Sequence, residues 1–198
     1  QLLAPYGIPM PKTILLNHAT TTEFLVERLG LPVVVKILSG SKGKGVALIS
    51  SEKELDNLLH MWMAGGAQEE LIAQEFIAES KGRDLRVRVI DHRPVVCMQR
   101  KSRDAEGFKS NFSAGGSVEA YPLDDAIRAL SEKVIDALGL CVGGIDLLFS
   151  ETHGHVVCEA NSVPGFQGIE SCCDINVPMA LLQCVARKVI AEKKASHA

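Results

Sequence analysis

Two apolar runs, VGGIDLLF and HVVCEA, separated by the polar cluster at 150–154, constrain this chain more than any other stretch. Apolar runs of strand length on either side of a turn-forming cluster predict a β-hairpin. In an antiparallel pair, directly opposed residues share a face, and so do residues two apart on one strand. With a turn centred near 152–154, Asp146 lies opposite Glu159 or Asn161, and all three are expected on one face. Opposed like charges destabilise a sheet, and an inward carboxylate left unpaired costs roughly several kcal/mol. A cation between them is therefore expected. Oxygen donors without His or Cys suit a hard ion such as Mg²⁺, which keeps some waters and completes its shell from phosphates. The alternative is that Asp146 or Glu159 pairs with an Arg or Lys from elsewhere in the chain, or is solvated on an exposed face.

The 198 residues are 46% hydrophobic, enough for one large domain or two closely packed lobes with a real core. A net charge of -3 gives no bulk attraction to nucleic acid or to an anionic membrane. No apolar run reaches the ~20 residues of a bilayer span, and QLLAPYGIPMPKT lacks the order of a secretory signal, so a cytoplasmic location is expected. The six cysteines form no CxxC pair and most sit in apolar segments, which reads as reduced core thiols without zinc. The chain opens without Met on what reads as the tail of a helix, and a preceding N-terminal piece is expected.

Taken in order, Pro9 and Pro11 forbid a helix in GIPMPKTILL, and Ile14 and Leu16 begin a strand. Thr20 with Glu23 forms a capping-box pattern for a helix that stops at Gly30. LPVVVKIL and GVALIS read as strands, and Ser51 with Glu54 caps a helix carrying Leu55, Leu58, Leu59 and Trp62 on one face. LIAQEFI and RDLRVRVI are strands about a polar bend at 79–82, so the order is βαββαβ over roughly the first 80 residues. A turn at 91–93 leads into PVVCMQRKS, and 104–117 is a Gly-, Ser- and Asn-rich loop. Residues 124–138 are amphipathic, with Ile127, Leu130, Val134, Ile135 and Leu138 on one stripe, and 176–194 closes the chain as a helix with Pro178 in its first turn. The fold class is α+β.

The stretch KILSGSKGKGV is the second chemical feature. Gly40, Gly43 and Gly45 are spaced neither as a Walker A loop nor as a Rossmann fingerprint, and they lie between two strands, not between a strand and a helix. They make a hairpin flap whose backbone amides can reach phosphate oxygens, with Lys42 and Lys44 adding charge. Lys36 ends a β-branched run, where a charge needs an anion; a nucleotide phosphate is one candidate, and simple snorkelling at the strand end is the other.

A glycine flap with a strand lysine, followed by an acidic hairpin ending in Glu-x-Asn, resembles the ATP-grasp ligases and specifically their RimK-like branch. The blocks GIPMPKT, VVVKILSGSKGKGV, QEFIAESKGRDLRVRVI, KSNFSAGG, VGGIDLLF and CEANSVPGFQGIE carry that resemblance along nearly the whole chain. It implies an ATP-grasp fold, with a small lobe at 1–78 and a large lobe at 79–198 holding nucleotide between them. An N-terminal α/β domain and a further nucleotide-contacting lysine would precede this segment.

By the same resemblance, Lys36 and the flap (Gly40, Ser41, Lys42, Gly43, Lys44, Gly45) would hold the phosphates of ATP. Glu75, Phe76 and Ile77 would frame the adenine, and Asp84 would lie near the ribose. Arg100, Lys109 and Asn111 would act near the phosphates and an acyl phosphate, and Asp146, Glu159 and Asn161 would bind Mg²⁺, with Mn²⁺ as a substitute. Arg86 is a weaker candidate, since an ion pair with Asp84 on its own strand face explains it equally well.

The implied activity joins an amino acid such as glutamate to a carboxylate acceptor (a small acid, a peptide or a protein C-terminus) through an acyl phosphate. A phosphotransferase on the same lobes and an ATP-binding regulatory module are the rivals, and homo-oligomerisation is left open.

Overall fold

A computed structural model describes residues 2–40, 45–103 and 116–195. Strands β1 (Thr13–Leu15), β2 (Val33–Ile37), β3 (Val46–Ile49) and β4 (Leu71–Glu75) form one antiparallel sheet in the order β1-β4-β2-β3. Helices α1 (Thr22–Leu29) and α2 (Glu52–Ala64) cover one of its faces. The period-two and period-3.6 patterns meet there: Val33, Val35 and Ala73 pack against Leu25, Leu29, Leu55 and Leu59. Ser51 caps α2 as expected, its hydroxyl accepting from Glu54 N–H at 3.3 Å. The cap of α1 falls one residue later than the capping-box pattern suggests. Thr21 accepts from Phe24 N–H, while Thr20 is buried and accepts instead from Asn17 N–H.

The second sheet contains β5 (Arg83–Ile90), β6 (Arg93–Lys101), β7 (Ser117–Tyr121), β8 (Val142–Ser150) and β9 (Gly154–Asn161), ordered β7-β6-β5-β8-β9. On one face Leu85, Val87, Val89, Ile145, Leu147 and Val157 pack on Ile127, Val134 and Ile135 of α3 (Asp125–Ala137). Asp124 caps α3, accepting from Ile127 N–H at 2.8 Å. The opposite face is divided. One end is apolar, where Ile90 and Met98 meet Ile169 of α4 (Gln167–Cys172) and Val177 and Cys184 of α5 (Val177–Ala195). The other end carries polar side chains.

The link between the sheets is tied to β8: Ser80 Oγ accepts from Phe149 N–H at 3.1 Å and donates to Arg83 carbonyl at 2.6 Å. The opening segment forms a 3-10 turn at Ala4–Tyr6 in place of a helix tail. Farther on, the Pro9 carbonyl accepts from Val157 N–H at the free edge of β9. β7 and α4 were not legible beforehand: SVEAY is too polar to alternate cleanly, and QGIESC is too short for a period. Among the described residues, no helix is long and apolar enough to cross a membrane.

A methyl group built on Gly143 would stand 2.7 Å from Ile135 Cδ1, so the second core closes over the absence of a side chain in β8. Gly143→Ala is therefore expected to destabilise by about 1–3 kcal/mol through overpacking. Ile135→Val removes the opposing atom, and the double variant should cost less than the sum of the singles by at least ~0.5 kcal/mol in urea denaturation. Strict additivity would contradict the contact.

Candidate active site

In β5 the polar residues Asp84, Arg86 and Arg88 alternate with Leu85, Val87 and Val89, so three charged side chains line the face away from α3. Their cross-strand partners bring matching charges. Arg86 faces Asp146 of β8, and Asp84 faces Arg100 of β6. Arg86 clasps Asp146 with Nε and Nη2, both at 2.7 Å. Arg100 clasps Asp84 in the same way at 2.6 and 2.5 Å, and its Nη2 also donates to Asp146 Oδ2 at 2.7 Å. The result is a continuous chain Arg86–Asp146–Arg100–Asp84 across three strands.

Asp146 and Arg100 are each only 4% exposed. Removing such charges from water is expensive, and the bidentate geometry offsets it. Burial alone would raise the Asp146 pKa; Arg100 and then Arg86 outweigh it and hold the carboxyl below the usual carboxylate range. Burial likewise opposes the charge on Arg100, yet Asp146 and Asp84 keep its pKa above the ordinary arginine value.

β9 adds the remaining donors through an irregularity. Ser150 faces Gly154 and Leu147 faces Val157, so a regular ladder would next set Asp146 against Cys158 and turn Glu159 and Asn161 toward α3. Instead a bulge absorbs Cys158, Asp146 faces Glu159, and Gly144 faces Asn161. The one-face placement anticipated for Asp146, Glu159 and Asn161 is thus correct, and its cause is the extra residue at Cys158.

Cys158 also meets the other sheet. Lys36 Nζ lies 3.5 Å from its Sγ and donates to Gln74 Oε1 at 2.5 Å, and Gln74 Nε2 donates to Thr13 Oγ1 at 2.9 Å. Lys36 therefore spans from the first sheet to the bulge beside Glu159, and among the described residues its partners are neutral. Burial raises the Cys158 pKa, only partly opposed by Lys36, so this contact is a thiol against an ammonium.

The donor set fits a hard divalent cation. Asp146 accepts three hydrogen bonds of the roughly four its lone pairs allow. Asn161 Oδ1 accepts from Val163 N–H at 2.9 Å and keeps a lone pair. Glu159 is exposed and has no hydrogen-bond partner among the described residues.

A family model for the RimK-like ATP-grasp domain matches residues 1–185. The chain belongs to the RimK-like ATP-grasp family. A probable alpha-L-glutamate ligase of Legionella pneumophila (strain Corby) is 36% identical over 189 residues, covering 95% of this chain and 61% of that relative. Another probable alpha-L-glutamate ligase, from Thioalkalivibrio sulfidiphilus, is 38% identical over 178 residues, covering 89% of this chain and 58% of its own length. The chain thus spans about three fifths of the curated relatives it matches.

Solved structures share the fold at low identity. The ATP-grasp ligase PsnB, complexed with a phosphomimetic variant of minimal precursor, Mg and ADP, matches with TM-score 0.74 and 18% identity over 95% of this chain and 56% of that one. D-alanine–D-alanine ligase from Bacillus anthracis matches with TM-score 0.72 and 19% identity over 98% and 66%. The two antiparallel sheets with their helices are therefore an ATP-grasp fold.

Asp84, Arg100, Asp146, Glu159 and Asn161 share one face of the second sheet, and Lys36 reaches from the first sheet to Cys158 beside Glu159. Glu75, Phe76 and Ile77 stand at the crossing from β4 toward β5, where Glu75 Oε2 accepts from Lys12 N–H at 3.1 Å. Gly40 and Gly45 end the described parts of the β2–β3 hairpin, with Ile37 N–H donating to Gly45 carbonyl at 2.9 Å. Ser41, Lys42, Gly43, Lys44, Lys109 and Asn111 lie outside the described residues.

The reading of one side chain changes. Arg86 pairs with Asp146, not with Asp84, because the cross-strand neighbour is nearer than the residue two along its own strand. Asp84 lies buried under Arg100, its two oxygens accepting from that guanidinium and anchoring it. Arg88 belongs to no motif of the sequence, yet the alternation of RDLRVRVI places it on the same face.

The two carboxylates of the hairpin should respond oppositely to neutralisation. Asp146→Asn strands two guanidinium groups and is expected to cost about 3–5 kcal/mol; Glu159→Gln should stay within about 0.5 kcal/mol. Urea denaturation with EDTA present measures both, and a large loss for Glu159→Gln would identify it as a structural ion-pair member. Because the folded-state pKa of Asp146 lies below its unfolded value, its contribution is complete above the ordinary Asp range near ~3.9 and fades as pH falls through the folded value. The stability gap between wild type and Asp146→Asn should close below that range.

Proposed function

We propose that this chain carries the nucleotide- and metal-holding part of an ATP-dependent carboxylate–amine ligase that joins glutamate to a carboxylate acceptor. The observation that carries this reading is Lys36 reaching from one sheet to Cys158 on the other, beside Glu159, with only neutral partners among the described residues. A lysine and an oxygen-donor cluster drawn from separate sheets are what a bound triphosphate with its metal needs on its two sides. The names of the curated relatives support glutamate as the amino acid.

In this reading the sheets are the two lobes, dividing near residue 78, and the segment Glu75, Phe76 and Ile77 frames the base. Lys36 and the β2–β3 flap bind phosphate oxygens, while Arg100, fixed by Asp84 and Asp146, sets positive charge beneath the transferring group. Asp146, Glu159 and Asn161 would hold Mg²⁺, which when bound offsets charge on the phosphates. Lys109 and Asn111 keep the roles that the resemblance implies.

The acceptor carboxylate is a poor electrophile. One of its oxygens attacks the γ-phosphorus and ADP leaves, giving an acyl phosphate. The amine of glutamate then attacks the acyl carbon, phosphate departs, and the amide forms with loss of the amine proton. This chain's residues orient these partners and stabilise charge as it develops; no enzyme nucleophile is required.

Full-length protein should release phosphate only when both an acceptor acid and glutamate are present. Phosphorylated acceptor without amide would indicate a phosphotransferase, and nucleotide binding without turnover a regulatory module. Mg²⁺–ATP should stabilise the wild type by about 2.7 kcal/mol at a hundredfold excess over Kd. Lys36→Met should weaken nucleotide binding roughly tenfold or more, by loss of a charge-assisted phosphate contact. An unshifted melting temperature in the wild type would overturn the nucleotide site.

A further inference from the structure

Arg86 and Arg100 use the same edge of the guanidinium, Nε with Nη2, to hold a carboxylate in two parallel hydrogen bonds. Arg88 stands on the same sheet face, two residues beyond Arg86, and is 3% exposed. Its Nη1 donates to the Pro164 carbonyl at 3.0 Å, yet its buried Nε has no acceptor among the described residues. No carboxylate of the described residues pairs with it. Burial first, and the like charge of Arg86 second, press its pKa below the ordinary arginine value. Arginine stays charged in proteins, so a guanidinium lies here with the carboxylate-binding edge of its neighbours and without their carboxylate.

The position of that edge is informative. Arg88 faces Gly144, and Gly144 faces Asn161, so Arg88 shares a row of the sheet with Asn161, one step from the row of Arg86, Asp146 and Glu159. Gly144 contributes no side chain between them, and Pro164 sits over it: a methyl group there would be 2.7 Å from Pro164 Cβ. The cover is thin. Val163 is 85% exposed, and a methyl group on Gly165 would meet nothing within 4 Å.

We propose that Arg88 receives a carboxylate of a ligase substrate, of the amino acid or of the acceptor, on its Nε/Nη2 edge. This rests on the ligase reading above. The carboxylate completes the pairing that the other two arginines find within the chain, and the loop bearing Pro164 yields to admit it. Because the same loop begins at Asn161, filling the Arg88 site and ordering that donor are mechanically joined.

The test uses full-length protein saturated with Mg²⁺–ADP and titrated with L-glutamate, with N-acetyl-L-glutamate, whose amine is blocked, and with L-glutaminamide, which keeps the amine and has no carboxylate. Arg88→Leu should weaken one of the two acids about 10- to 100-fold, as expected for a buried charge-assisted fork. It should leave L-glutaminamide and Mg²⁺–ADP binding unchanged. Arg88→Lys should recover part of the loss. Loss of L-glutamate binding alone assigns the contact to the amino acid, whereas loss of N-acetyl-L-glutamate binding assigns it to an acid of acceptor type.

The proposal is overturned if both acids bind Arg88→Leu as tightly as wild type, or if neither acid binds a wild type that does bind Mg²⁺–ADP. It is equally overturned if Arg88→Leu and Arg88→Lys both lose Mg²⁺–ADP, which would make Arg88 a pin for the Pro164 loop. Failure of the wild type itself to bind Mg²⁺–ADP would defeat the ligase reading and this proposal with it.

Discussion

One extra residue in β9 decides which way the acidic hairpin looks. Side chains of a strand alternate with a period of two, so inserting Cys158 reverses the facing of everything after it relative to β8. Before the bulge, Val157 packs with Leu147 in the core over α3. Beyond it, Glu159 and Asn161 stand beside Asp146 on the opposite face. Without the bulge, the same sequence would press a glutamate and an asparagine against α3, at a cost of several kcal/mol or so in buried unpaired polar groups. The residue that produces the shift is also the one that touches Lys36 of the other sheet.

The face so produced is organised by charge pairs, not by apolar packing. A buried ion pair contributes little net stability, since desolvation consumes most of the attraction, but breaking one partner is costly. Such a network resists rearrangement more than it deepens the fold. Arg100 illustrates this: held by Asp84 on one side and Asp146 on the other, its guanidinium has little freedom left. Fixed dipoles and charges of this kind stabilise developing charge without having to reorganise.

Local signals carried most of the fold. Capping at Ser51, the stripe of Ile127, Val134 and Ile135, and the strand runs are determined within a few residues. What stayed hidden was either locally ambiguous or non-local. Two adjacent threonines offer equal hydroxyls, and only the tertiary engagement of Thr20 with Asn17 hands the cap to Thr21. The hairpin shows its donors in the sequence, but a bulge has no reliable sequence mark in CEAN, and a regular ladder from the turn would set Asp146 against Cys158. The partners of Asp146 could not be read from spacing, since Arg86 and Arg100 reach it only after β5 is placed between β6 and β8. The alternation in RDLRVRVI did contain Arg88; its orphaned Nε required the coordinates.

The two hairpin carboxylates, three-dimensional neighbours on one face, are left in opposite electrostatic states. Asp146 is buried and held anionic by two arginines, whereas Glu159 is exposed and without a pair among the described residues. Repulsion between them is thereby reduced, because the charge of Asp146 is already compensated from behind. In the proposed metal site, a cation arriving from the open side would meet a Glu159 with no competing pair among the described residues and an Asp146 already held in position by its arginines. Pre-paired and unpaired carboxylates in adjacent positions thus reconcile two demands that conflict for identical ones: a metal-type donor set must stay folded when empty and must still attract an ion. Arg88 on this face and Lys36 on the other sheet both lack carboxylate partners among the described residues. The net charge of -3 for the whole chain conceals these two local cations, which are where anionic groups of the proposed substrates would find partners.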